Sequence, residues 1–250
     1  GDAVARIYEV KGRPRFNPLI VHVGDMEMAE RIGEFDPLSR RLAEKFWPGP
    51  LTLVLPLKKG AKIHPLVRAG LDTIALRMPA GFMARLIVRA GRPLAAPSAN
   101  SSGRVSGTSA AAVNADLGAR IALIVDGGPT PVGVESTIVK AEGDHLRLLR
   151  PGGLAAEEIE AVAGVRIERG KAAGIEAPGM MSSHYAPGAK VRLNATEIAA
   201  GEALLAFGPN RAKGAEGAVA VRNLSPKGDL RWFRILDDHV RHCVASALAS

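Results

Sequence analysis

Lys11-Gly12-Arg13-Pro14-Arg15-Phe16-Asn17-Pro18-Leu19-Ile20-Val21-His22 carries cations held by a glycine and prolines straight into a short, wholly apolar run. The reading is a basic turn delivering the chain into a buried strand. Lys11 and Arg13 lie one residue apart in a segment too irregular for a helix, and two such cations can converge on a polyphosphate. Far downstream, Pro97-Ser98-Ala99-Asn100-Ser101-Ser102-Gly103 supplies hydroxyls and small residues that let backbone donors approach the same ligand.

Working outward, apolar runs alternate with helical patterns. Residues 19–23, 51–56, 73–78, 94–96, 121–125, 136–141, 146–149 and 165–168 read as short, partly buried strands. Residues 26–32, 38–47, 82–90, 109–117 and 155–162 read as helices, with Leu38, Leu42 and Phe46 at one-turn spacing and Glu157, Glu158 and Glu160 near the start of the last. Pro48-Gly49-Pro50 forces a stop. The fold class is α/β. Periodicity vanishes from Gly170 to Gly188, which reads as a linker, and residues 203–207 and 218–221 read as buried strands of a smaller second α/β unit. The expected division is 1–169, a linker at 170–189, and 190–250.

The 250 residues are 47% hydrophobic, enough to fill a core, and contain no run of eighteen apolar residues. No membrane segment and a cytoplasmic location are the expectations. One cysteine, Cys243, excludes an internal disulfide and a cysteine-rich zinc site. The net charge of +8 is uneven: residues 1–106 hold 17 Lys+Arg against 9 Asp+Glu, whereas the remainder holds 16 against 16. The whole excess therefore sits in front, where it suits a nucleotide or an RNA. Aromatic residues make up only 4%, which disfavours a base-stacking platform. There is no GxxxxGK[ST] loop and no GxSxG elbow. His239 and His242 are three apart with no further ligand cluster, so no metal site is expected.

Further segments put a cation or hydroxyl beside a turn residue: 73–79 (TIALRMP after Asp72), 133–138 (GVESTI), 148–152 (LLRPG) and 181–187 (MSSHYAP). Singly, each fits a surface arginine or a turn serine. In their joint order with KGRPRFNPLIVH, WPGPLT, APSAN and DGG, the chain resembles the YrdC-like family, in its longer two-domain form of threonylcarbamoyl-AMP synthases. The match runs from about Arg6 to Pro187.

That resemblance implies a twisted mixed α/β sheet with a basic concave face, followed by a smaller, incomplete C-terminal α/β domain. It also implies synthesis of L-threonylcarbamoyl-AMP from ATP, L-threonine and bicarbonate with release of pyrophosphate, magnesium being carried on the ATP phosphates. The product would pass to a threonylcarbamoyl transferase machinery acting on tRNA. By the same resemblance, Lys11 and Arg13 would stabilise the charge of the transition state. Arg13, Asn17, Thr73, Ser98, Ser106, Arg150 and His184 would contact ATP, and His22, Arg77, Ala96 and Ser136 would line the threonine side. Arg77 suits a substrate carboxylate, and Ala96 leaves room for a small side chain.

The family's upstream strand and loop, approximately PTETVYGLG, has no counterpart before Lys11, and residues 231–250 do not follow the family's second domain. The expectation is a chain truncated at both ends whose catalysis is impaired. The linker, carrying His184-Tyr185-Ala186-Pro187, is expected to cross the mouth of the first domain as a lid. The competing class is a non-catalytic module that docks double-stranded RNA through its basic front half. A carbamoyl-transfer domain of hydrogenase maturation would be expected to carry cysteine-rich zinc segments, against which the single cysteine argues.

Overall fold

The computed structural model describes residues 1–170, 174–180, 191–210, 212–223 and 225–227. Helix α1 (Asp2–Lys11) opens the chain. It corrects the reading of Lys11 as part of an irregular segment: the lysine closes a helix, and Gly12 takes the left-handed cap at φ 59°. Val4, Ile7, Tyr8 and Lys11 form its inward stripe at i, i+3, i+4, i+7, and Tyr8 and Lys11 are buried. The Tyr8 hydroxyl donates toward the carbonyls of Asn17 at 3.0 Å and Leu66 at 2.8 Å, fastening α1 to the turn that precedes strand β1 (Ile20–His22).

Two helices follow, α2 (Met26–Glu30) and α3 (Pro37–Phe46). Asp36 caps α3 by accepting from the Ser39 amide at 2.8 Å, with Pro37 preset at the first helical position. Leu38 and Leu42 of the expected stripe are buried, and Phe46 is half-buried against the same core. Strands β2 (Leu51–Pro56) and β3 (Thr73–Arg77), helix α4 (Phe82–Ala90), strand β4 (Leu94–Ala95) and helix α5 (Ala110–Leu117) come next. Then come β5 (Thr137–Glu142), β6 (His145–Arg150), α6 (Ala156–Ala163) and β7 (Ile167–Glu168). Strands β8 (Ala203–Ala206) and β9 (Ala220–Asn223) pair in parallel as a separate two-stranded sheet.

The main sheet has seven strands in the order β4-β1-β3-β2-β5-β6-β7. Pairings β1/β3, β2/β5 and β6/β7 are parallel, and the other three are antiparallel. It is a mixed α/β sheet, as expected. Side-chain alternation along the strands separates two faces. Val21, Leu53, Leu55, Ile74, Leu76, Val139 and Leu146 join the large core, packed with α2, α3 and α6. Ile20, Val54, Ala75, Ile138 and Leu149 form a small cluster on the opposite face, where Ala177 and Met180 are the only additions among the described residues.

Residues 121–125, expected as a strand, pair with no strand among the described residues, and Leu123 and Val125 are 77% and 64% exposed. An apolar, β-branched run becomes a strand only where a neighbour completes its ladder, and here the sheet ends at the two-residue β4.

Candidate functional site

The second sheet face gathers the polar residues at one end. His22 ends β1 and is directly in register with Arg77, the last residue of the parallel strand β3. In β2, Leu53 opposes Leu76, which sets Thr52 beside Arg77 at the next step of the antiparallel ladder. Thr52 is in register with Ile138 of β5, and Ile138 opposes Arg150 of β6. A bulge between Ile138 and Val139 re-aims this end of the β5/β6 pair. The row therefore owes its existence to mixed pairing: the ends of β1, β3 and β6 meet the starts of β2 and β5.

Hydrogen bonds tie the row together. Arg150 donates from Nε and Nη2 to the Ser136 carbonyl at 3.1 and 2.8 Å, and from Nη2 to Ser136 Oγ at 3.0 Å. Ser136 Oγ lies 2.7 Å from Thr52 Oγ1. Arg150, Ser136 and Thr52 are all buried, and Gly152 abuts the 135–137 backbone so closely that a Cβ there would sit 2.4 Å from the Glu135 carbonyl oxygen. Arg77 donates from Nε to the Gly49 carbonyl at 3.0 Å. Among the described residues its guanidinium has no carboxylate partner. Burial, followed by the repulsion of Arg150, lowers its pKa to about 10. Arg150 is buried and Arg77 half-buried, near enough for the charge of one to act on the other, and a pair of guanidiniums so placed can accept an anion of carboxylate or phosphate type.

His22 makes a 3.2 Å contact with the Ala96 carbonyl. Because a carbonyl can only accept, the imidazole carries its proton on Nε2 and leaves Nδ1 as an acceptor. Burial, then Arg77, lowers its pKa to about 4 against the opposing bond to Ala96, so the ring is neutral at physiological pH. The Ala96 amide in turn donates to the Ile20 carbonyl at 3.1 Å, which fixes the start of the 97–103 loop on β1.

Lys11 reaches that loop from the other side, donating to the Ser98 carbonyl at 2.6 Å and to the Asn100 carbonyl. Burial is the main reason its pKa falls to about 8, with Arg13 adding to the fall, Asp116 opposing it and Arg120 adding again. Arg13 turns into its own segment: Nε donates to the Asn17 carbonyl at 3.1 Å, and Nη2 to Asn17 Oδ1 at 2.7 Å and the Pro18 carbonyl at 2.6 Å. Both cations are buried, so neither belongs to a solvated basic loop.

Beside the row opens a cavity of about 590 Å³ whose wall includes Ser98, Ser106, Thr108, Asp126 and Glu135. Ser106 Oγ donates to Glu135 Oε1, adjacent to Ser136. The structure thus brings together His22 with Ala96, Ser136 with Arg150, Arg77 beside them, Lys11 with Ser98, and Arg13 with Asn17. Ser106 lies on the neighbouring cavity wall. Thr73 sits at the far end of β3, on the same face as Ala75 and Arg77 by alternation but ~13 Å along the strand from Arg77. His184 lies outside the described residues, as do His239, His242 and Cys243.

Sequence reasoning left Thr52, Asn100 and Glu135 unassigned. A threonine inside the buried run LTLVLP was the available signal for Thr52. Asn100 is 2% exposed and donates to the carbonyls of Ser101 and Arg104 at 2.9 and 2.7 Å, making the loop its own scaffold. Among the described residues no group of three or more His, Cys, Asp or Glu side chains could hold a metal, and no helix is long and apolar enough to cross a membrane.

A protein-family profile described as "Telomere recombination" matches residues 1–152, and one described as "Threonylcarbamoyl-AMP synthase, C-terminal domain" matches residues 154–243. The threonylcarbamoyl-AMP synthase of Bacillus subtilis is 49% identical over 198 residues, covering 77% of this chain and 57% of that protein. Its counterpart in Schizosaccharomyces pombe is 41% identical over 225 residues, covering 77% and 55%. The chain thus spans little more than half the length of these curated relatives. The crystal structure of Pyrococcus abyssi Sua5 complexed with L-threonine matches with a TM-score of 0.76 and 33% identity, over 98% of this chain and 85% of that one. The chain belongs to the Sua5/YciO/YrdC family, in the form that carries the second, Sua5-type domain.

Proposed function

We propose that this chain carries the site of an L-threonylcarbamoyladenylate synthase, a nucleotidyltransferase using ATP, L-threonine and bicarbonate. The observation that carries the reading is the register row that sets Arg77 beside the neutral His22 and within electrostatic reach of Arg150, which is bonded to Ser136. The relatives named for this activity, and the threonine complex of the Pyrococcus protein, support it.

In this reading Arg77 holds the threonine carboxylate, and His22, Ala96 and Ser136 surround its amine and side chain. Neutral His22 presents Nδ1 as an acceptor to a substrate N–H or O–H. The threonine amine bonds to the carbon of bicarbonate, a C–O bond breaks and water leaves, and one oxygen of the resulting carbamate bonds to the α-phosphorus of ATP. The bond from that phosphorus to the bridging oxygen breaks, and pyrophosphate leaves with the electron pair. Lys11 and Arg13, with Asn17, Thr73, Ser98, Ser106, Arg150 and His184, are assigned to the nucleotide; fixed cations stabilise the charge that grows on the phosphoryl oxygens. Magnesium enters with the nucleotide as part of the substrate. The product is an activated carbamoyl donor for tRNA modification. The domain division at 1–169, 170–189 and 190–250 belongs to the same proposal.

Isothermal titration tests it. Threonine and ATP should each bind, and pyrophosphate release should require threonine and bicarbonate together, with threonylcarbamoyl-AMP detected by mass spectrometry. A chain that binds double-stranded RNA but ignores threonine overturns the reading.

A further inference from the structure

Helix α5 stands outside the row and outside the set of assigned site residues, yet it carries the groups that fix the 97–103 loop. Asp116 Oδ2 accepts from the Ser101 amide at 2.6 Å, and Oδ1 accepts from the Ser101 hydroxyl at 2.6 Å. Arg120, in the 3-10 turn that extends α5, donates from Nη2 to Ser101 Oγ at 2.7 Å and to the Asp116 carbonyl at 2.9 Å. Its Nη1 donates to the Val10 carbonyl at 2.6 Å, at the end of α1. The Ser102 amide then closes onto the Lys11 carbonyl at 2.8 Å. Loop, α1 and α5 are bolted at one point, and the side chain of Lys11 returns to the same loop at Ser98 and Asn100. An ammonium has three donors, and these two carbonyls leave one.

We propose that Asp116 is a positioning residue of the nucleotide site. From α5 it locks the 97–103 loop through Ser101 and holds Lys11 in its charged form beside that loop. The proposal rests on the nucleotide reading of the loop and names a residue that reading does not contain. Asp116 is suited to the task because each of its oxygens accepts a bond from Ser101, with Arg120 Nη2 3.5 Å from Oδ1; the Ser101 bonds come first among the causes that hold its carboxyl below the usual range, so it is ionised throughout the physiological range. The groups acting on Lys11 are Arg13 of the following turn, and Asp116 and Arg120 of α5 and its extension. Asp116 is the one that favours the ammonium, while Arg13 and Arg120 oppose it.

The sign is testable in the free protein, whose titrations govern the pH dependence of affinity. Lys11 loses its charge as pH rises through about 8, so ATP affinity should decline along that limb. Asp116→Asn removes the favourable charge and should move the limb to lower pH; Arg120→Gln removes an opposing charge and should move it to higher pH. Ser101→Ala leaves both charges and should leave the limb in place. All three loosen the loop, and each should weaken ATP binding about tenfold at neutral pH, the loss expected for a hydrogen bond to a charged group.

Titration calorimetry of ATP across this pH range, with thermal melts of every variant, decides the matter. Limbs displaced in opposite directions support the proposal. Equal limbs in all variants, or ATP affinity of Asp116→Asn within twofold of the parent, overturn it. Should Asp116→Asn fail to fold, the contrast between Arg120→Gln and Ser101→Ala carries the same decision. An unmutated chain that binds no ATP overturns the nucleotide reading itself and the proposal with it, a result distinct from an unmutated chain that binds ATP and a variant that binds equally well.

Discussion

The two faces of the seven-stranded sheet are built from alternate residues of the same strands and serve opposite ends. One face buries Leu53, Leu76 and Val139 against helices, and a polar group buried on that side, Thr137, is paired with the Leu154 backbone. The other keeps only a small apolar cluster and places His22, Thr52, Arg77, Ser136 and Arg150 at its rim. Stability is stored on the first face. On the second, cations withdrawn from water cost stability: Arg150 and Arg77 recover part of their lost hydration from the Ser136 and Gly49 carbonyls, and in the proposed reading an anionic ligand supplies the rest.

The sharpest way to break this contrast is to cut the helical face. Leu53→Ala removes a side chain that is 1% exposed at the centre of the large core and should cost about 2–5 kcal/mol, read as a lower denaturant midpoint. Its neighbours Thr52 and Val54 point the other way, so threonine affinity of the folded fraction should be nearly unchanged. A comparable loss of affinity would show that the faces are not independent.

The second face should reveal itself through acid. His22 has a folded pKa of about 4 because burial, then Arg77, disfavours its charged form, against 6.5 for the free side chain. For a base with a depressed pKa the unfolded chain binds the proton first. Stability is then fully present above about 6.5 and is lost as pH falls toward about 4, by about 3 kcal/mol at most. His22→Gln can still donate to the Ala96 carbonyl without titrating. Its urea midpoint should stay flatter than that of the parent across this window; identical pH profiles would show that His22 is not the buried group responsible.

Arg77 tests the functional half of the comparison. Arg77→Met removes a charge that burial and Arg150 both disfavour, so the melting temperature should hold or rise. Threonine affinity should fall ten- to a hundredfold, the loss of a charge-assisted contact worth about 1.5–3 kcal/mol. A destabilised variant with normal threonine affinity would reverse the assignment and make Arg77 a structural residue.

Much of this was legible in the sequence, and unevenly. Strand β2 and helix α4 fall on the expected boundaries, because a run of apolar residues between prolines and an amphipathic stretch between glycines are local signals. Helix α1 has a weaker signal: Val4, Ile7, Tyr8 and Lys11 have helical spacing, but the stripe ends in a cation and runs directly into a Gly/Pro turn, which disguises Lys11 as part of that turn. Residues 121–125 failed in the other direction, since strand formation depends on a partner that local sequence does not display. At the site, the residue types were readable from their motifs, whereas the row from His22 to Arg150 depends on sheet order and register. Neither Asp116 nor Thr52 announces itself: one is a helix carboxylate and the other a strand threonine until the fold brings their partners within reach.

The smallest expected effect concerns what covers the second face. Residues 174–180 contribute to it, with Ala177 fully buried in its apolar cluster and Met180 packed against it. Glu176 fastens the segment to Lys140 of β5 at 2.7 Å and to Arg147 of β6 at 2.8 Å, while Glu142 engages the same two cations at 2.8 and 3.0 Å. Burial pushes the Glu176 carboxyl up, but the hydrogen bonds and charges of Lys140 and Arg147 prevail and hold it below the usual range. A depressed carboxyl pKa means that the clasp contributes above the ordinary carboxylate range and is lost as pH falls through the lowered value. The side chains are partly buried, but Glu142 remains to neutralise the cations and the Gln amide can still accept from them, so Glu176→Gln should cost only about 1 kcal/mol or less. The global denaturant midpoint should therefore barely move, while limited proteolysis cleaves within 174–180 faster than in the parent. Lowering the pH of the parent should reproduce that acceleration, and the variant should show no further response. If the parent and the Gln variant are cut at equal rates at neutral pH, the segment is held by Ala177 and its apolar neighbours alone, and the second face owes its cover to packing rather than to charge.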